Sequence, residues 1–544
     1  MAEHVTETQD AGAHSSPIPG TNHLVDREGT MRAKHASGAI KDVVLVPTPS
    51  SDPDDPLNWS PKRRLLAVTC VCVYTLAVGF PTAAIYSVFM PISMNTGLSF
   101  DTLNSGTGYM FLLLGWGCAF WQPIALQYGK RPVYLFTLFA TTGIILWGPY
   151  AKTKGDWIAG KILQGFFGAP IESLCEISMT DLTFTHNRGT YMAIYALFLG
   201  GSNFLAPVFA GFISDGQDWR WVLYWCSIFC GLSFVFLFFC MEETNYDRPN
   251  SSITATVVSD DEKYGEGSEK GADPTTEVAS PTTLGPSQKT FLSKLSLLDK
   301  PRPFKKFLFM LKQPFIFFTY PVVVYSGFAY GSALIWFNVL NGTASIILGG
   351  PGYNFKPSMV GLSYLSPLLG NILTTIWAGT IGDKLLVLLA RRNGGTNEPE
   401  HRLWLFVLMA IFCPVGLILW GVGAAHGVHW FGLISATFIL SFSISIAIPV
   451  SVNYCIDTYQ ALSGQALVTI MIIRNTMSFA VSYGITPWLT DLGYQNCFIS
   501  AAMIALASSL VFLIFVKWGK GMRISSKDRY WRMVKESEAM GVSH

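Results

Sequence analysis

An all-α membrane protein is the fold class this sequence predicts, and three observations predict it. Twelve apolar runs fall into two groups of six around one polar loop, and each is long enough to cross a bilayer core of about 30 Å. Hydrophobic residues make up 50% of the 544 and charged residues only 13%, against roughly 25% charged in soluble domains. The apolar runs are continuous rather than alternating, so helices rather than barrel strands are expected to satisfy the backbone in lipid.

The elements follow in order. Residues 1–60 are polar and rich in Ser, Thr, Gly, Asp and Glu, and are expected to form a disordered cytoplasmic tail. No apolar leader precedes the first span, which is expected to act as an uncleaved insertion signal. Ser60 is placed to cap that span, Pro61 suits its first position and Trp59 suits the interface. A first six-helix bundle is expected over residues 61–244, with spans near 65–89, 103–125, 132–150, 157–180, 190–213 and 219–240. A cytoplasmic loop follows at 245–312, with its polar stretch to about 300 expected to be disordered. The second bundle is expected over 313–518, with spans near 315–340, 359–382, 403–424, 430–457, 463–488 and 495–517, and a cytoplasmic tail at 519–544.

Lys and Arg set the orientation. They crowd the start of span 1 (Lys62, Arg63, Arg64), the 2–3 turn (Lys130, Arg131), the end of the central loop, the 8–9 loop and the C-terminal tail. The positive-inside rule therefore puts both termini in the cytoplasm. A net charge of +2, with basic residues beside spans rather than on one patch, gives no sign of a nucleic-acid partner. The ten cysteines lie mostly within apolar runs without zinc-site spacing, and read as small packing residues. No phosphate loop, metal cluster or nucleophile elbow appears, so neither an enzyme nor a cofactor is expected.

Charges inside lipid are costly and mark function. Span 4 carries Lys161, Gly165, Gly168, Glu172 and Glu176 at steps of three or four, which makes one stripe on one helical face. The glycines admit a close neighbour. Two carboxylates one turn apart in a dry cavity do not both stay ionised, as a proton-coupled carrier or an organic-cation site requires. The competing reading is a buried structural pair of Glu172 with Lys161 or Arg474. Arg474, near the middle of span 11, needs a partner or a wet cavity. Asn453 and Asp457 share a face at the end of span 10, where Asp457 either pairs with Arg474 or gates the cytoplasmic mouth. Tyr74, Tyr86, Trp336, Asn338 and Asn341 are polar or aromatic positions suited to a central path or to packing between helices. Gly79-Phe80-Pro81 and Ala206-Pro207 predict kinks. No histidine lies deep in a span, so any proton carriage falls to carboxylates. Asn341 also opens a glycosylation sequon, set close to the membrane.

These residues resemble the major facilitator superfamily, and within it the fungal twelve-span drug:proton antiporter family, over about residues 52–518. Asp52 to Ser60 is similar to the fungal segment before span 1. Lys161 to Ala169 resembles the span-4 motif, with lysine where arginine is usual. Gly379-Thr-Ile-Gly-Asp383-Lys384 resembles the 8–9 loop motif. Gly165 to Glu172, Thr185 to Tyr191 and Gly201 to Pro207 look most like the subgroup similar to the yeast histidinol and polyamine uptake carrier. In the 2–3 loop, however, Leu126 and Gln122 replace the motif's aspartate and glycine, and the span-5 antiporter motif is degenerate.

The resemblance implies two six-helix bundles of the major facilitator fold with a midplane site, acting as a monomer on a small organic solute and protons in the plasma membrane. Glu172, assisted by Glu176, is expected to bind the proton or cation. Lys161, Arg131, Asp383, Lys384, Asp457 and Arg474 are expected to form the gating charges. Export of drugs or metabolites and uptake of polyamine-like cations both remain open. A solute sensor without turnover is the alternative.

Overall fold

The computed structural model of the chain describes residues 18–23, 52, 55–183, 185–246, 304–377, 388–389 and 396–540. The described residues are almost wholly helical. Ser60 caps α1 (Pro61–Ala83) by accepting from the Arg63 amide at 3.4 Å, with Pro61 in the first turn. A 3₁₀ turn, Ala84–Ser87, leads to α2 (Phe89–Thr96). Then come α3 (Phe100–Tyr128), α4 (Lys130–Trp147), α5 (Lys154–Gly168), α6 (Pro170–Asp181), α7 (Thr185–Gln217) and α8 (Trp219–Cys240). The later part of the chain supplies α9 (Phe304–Phe317), α10 (Pro321–Gly349), α11 (Pro357–Ser363), α12 (Leu365–Trp377), α13 (Phe406–Ala425), α14 (Trp430–Thr458), α15 (Ser463–Leu510) and α16 (Phe512–Ala539).

Among the described residues, nine stretches are long and apolar enough to cross a membrane. Local chemistry explains why they are fewer than the apolar runs. The fourth run is divided at Ala169-Pro170, because proline has no amide hydrogen to donate. The last two merge in α15, broken only where Gly493 takes φ of +69°, a conformation glycine adopts without penalty. The eighth run is divided into α11 and α12, and the described helix stops at Trp377. Large apolar side chains such as Phe139, Phe209, Leu232, Leu369, Ile411 and Met503 stay exposed on the outer surface, as lipid-facing residues do.

Two features depart from the sequence expectation. The seventh span begins at Pro321 rather than near 315, and α9 precedes it as a separate helix. The stretch after 518 continues the helix α16 to Ala539, burying Arg523, Tyr530, Met533 and Val534. Hydropathy ends the last span there because the following residues are charged, yet those charges have partners. Arg523 donates to Glu400 (2.8 Å) and Glu398 (2.6 Å), and Lys520 pairs with Glu398 at 2.7 Å.

The halves before and after the central loop meet mainly through α3 against α15 and α7 against α11 and α12. Glycines set the separation. A Cβ on Gly115 would lie 2.6 Å from the Asn475 Cβ, and one on Gly361 2.5 Å from the Pro207 carbonyl. At the face where α1 begins, here termed the basic face, Gln122 Nε2 donates to the Gly464 carbonyl at 3.3 Å. At the opposite face Asn104 donates to Thr486 (3.1 Å), the Met90 amide to Ser345 (3.4 Å) and the Ser358 amide to Asp215 (3.1 Å).

Candidate functional site

Pro170 opens α6 and leaves Glu172 in its first turn, where the helix dipole favours negative charge. The carboxylate points across to α15. Its Oε1 forms an ion pair with the Arg474 guanidinium, and Asn475 Nδ2 donates to its Oε2 at 2.7 Å. Arg474 Nη1 also donates to the Tyr330 hydroxyl of α10 at 2.7 Å, and its Cζ lies 4.6 Å from the Tyr330 ring centroid. Glu172 is 8% exposed and Arg474 4%. This cluster is therefore a dry polar bridge, with Glu172 from the first half and Arg474, Asn475 and Tyr330 from the second. A cation that reaches Glu172 competes with Arg474. A proton that reaches it removes the charge that holds Arg474.

Glu176 lies one turn further along α6. Its Oε2 is buried and has no hydrogen-bond partner among the described residues. Tyr195 of α7 closes the same region by donating to the Ile171 carbonyl at 2.7 Å. Gly165 brings α5 against α3, since a Cβ there would collide with the Met110 carbonyl.

The other predicted residues lie as follows. Lys161 donates to Gln164 Oε1 at 2.8 Å and does not join Glu172. Asp457 pairs with Arg402 at 2.7 Å rather than with Arg474, whose guanidinium is committed to Glu172. Asn453 is half-buried one turn earlier on α14. Tyr74 packs inside the first half, bonded to Thr137 at 2.9 Å and edge-on to Tyr134. Tyr86 is buried against Phe89 in the turn after α1. Trp336, Asn338 and Asn341 are buried in α10. A glycan on Asn341 is incompatible with this placement, because the side chain is 1% exposed within a packed helix. Asp383 and Lys384 lie outside the described residues.

In the 2–3 turn, Glu243 is the anchor. It accepts from the Lys130 amide (3.0 Å) and the Arg131 amide (2.9 Å), while Arg131 Nη2 donates to the Phe238 carbonyl at 2.7 Å. Lys130 also pairs with Asp181 at the end of α6. Gly129 makes the turn possible at φ of +112°, where a Cβ would press on Glu243 at 2.7 Å. Sequence reasoning missed Tyr330, Asn475 and Glu243. Asn475 was the findable one, being a polar residue beside Arg474 in an apolar span.

Comparison with known proteins fixes the class. The Major Facilitator Superfamily model matches residues 69–482, and the chain belongs to that superfamily of membrane transporters. Over 94% of its length it is 27% identical to 94% of an uncharacterized MFS-type transporter of Schizosaccharomyces pombe. It is also 27% identical over 96% of its length to 98% of Protein HOL1 of Saccharomyces cerevisiae. An MFS transporter, fsa7, of a Fusarium species is 25% identical over 88% of each chain.

Proposed function

We propose that this transporter is a proton-coupled carrier of a small organic cation, with Glu172 and Glu176 as its proton- and cation-binding groups. The observation that carries the reading is the Glu172–Arg474 bridge between the two halves, with Glu176 one turn away. Alternating access requires the halves to separate on one side of a midplane site. A proton or an organic ammonium that takes Glu172 from Arg474 weakens the tie between the halves at that site. The Tyr330 ring, 4.6 Å from the Arg474 Cζ, is an aromatic face beside the pair. In this reading residues 61–244 and 313–518 are the two rocking bundles, both termini are cytoplasmic, and the plasma membrane is the residence.

Labelled spermidine flux in proteoliposomes under an imposed pH gradient tests it. Gradient-dependent flux is expected in the wild type and none in Glu172→Gln or Glu176→Gln. A wild type that moves no spermidine, or variants that move it normally, would overturn it. The sign of the gradient that drives flux distinguishes uptake from export.

A further inference from the structure

We propose that the cavity beside Lys161 is a binding site for a small inorganic anion such as chloride. Lys161 lies in α5, is 5% exposed, and gives one hydrogen bond, to Gln164 Oε1 at 2.8 Å. An ammonium has three N–H groups to place. Its Nζ lies 5.2 Å from the Trp157 ring centroid, and among the described residues no carboxylate pairs with it. A buried charge without a counter-charge is costly.

The surroundings supply unpartnered donors. Trp157 Nε1 and Gln164 Nε2 are both buried without partners among the described residues. Trp157, Lys161 and Gln164 line one cavity of about 30 Å³, walled by Pro81 and Trp147. Asp156 lines the cavity as well, but its carboxylate accepts from the Thr153 amide at 3.3 Å within the helix cap and makes no ion pair with Lys161. The cavity lies near the face opposite the basic one, where α4 ends and α5 begins. A water needs roughly 10–15 Å³, so the space admits a single small ion. Protonated Lys161 and the unpartnered donors of Trp157 and Gln164 suit a compact anionic acceptor, and that anion in turn holds the proton on the lysine. This site is separate from the Glu172 bridge and stands whether or not that bridge carries protons.

Thermal unfolding of the purified full chain in detergent, in chloride against gluconate at equal ionic strength, tests the proposal. Saturating chloride is expected to raise Tm by about 2–4 °C, bromide to substitute for it, and Lys161→Met to abolish the shift. A chloride-insensitive wild type, or a shift that survives in Lys161→Met, would overturn it. Should that variant fail to fold, bromide-soaked crystals of the wild type decide. An anomalous peak beside Lys161 Nζ is expected, and its absence overturns the site.

Discussion

Glu172 and Arg474 are 302 residues apart in sequence and form one ion pair in the fold. The span-4 stripe was legible because helical spacing alone puts Glu172 and Glu176 on one face. The partner was not, because spacing within span 11 does not say which neighbour its arginine meets, and Asp457 was another candidate. Arg402 settles that choice by occupying Asp457. The pair makes a prediction at this scale. Arg474→Gln leaves Glu172 buried and uncompensated and should lower stability by about 3–5 kcal/mol. The double variant with Glu172→Gln replaces the charges by neutral amides and should recover most of that stability without recovering flux. Thermal unfolding of the singles and the double measures the coupling. Additive losses would mean that the residues do not interact.

At the scale of elements, apolar runs located most of the helices, because length and hydropathy suffice in lipid. They missed the extension of α16 and the separate α9, since both are rich in charge or interrupted at their junctions. Two predictions belong here. Gly115→Val should press on Asn475 and Met471, force α3 away from α15, and cost about 1–3 kcal/mol. A variant as stable as the wild type would mean that this contact is not tight. The second concerns the α16 cluster. Burial alone pushes the Glu398 carboxyl up, but Lys520 and Arg523 outweigh it and hold it below its ordinary value. A folded value below the unfolded one adds stability above about pH 4.3, the unfolded value. That stability is lost as pH falls through the folded value. Glu398→Gln should therefore melt earlier than the wild type near neutrality, with the gap closing below about pH 4. A gap that stays constant with pH would remove Glu398 from the cluster's energetics.

For the whole molecule, the two groups of apolar runs announced two halves, whereas the contacts that close them are long-range and were invisible in sequence. At the opposite face the Met90 amide meets Ser345, joining α2 to α10. Alternating access requires this contact to part during each cycle. Cysteines at Met90 and Ser345, joined by a short thiol crosslinker, should reduce flux to background and release it on cleavage of the linker. Undiminished flux in the crosslinked protein would mean that the halves need not separate there.

In the proposed cycle, proton and organic cation share the Glu172–Glu176 region. Its most direct test is the internal pH of proteoliposomes, followed with a trapped dye, when a spermidine gradient is imposed without a pH gradient. Proton movement driven by spermidine is expected in the wild type and none in Glu176→Gln. Spermidine flux with no accompanying proton movement, or proton movement unchanged in Glu176→Gln, would contradict it.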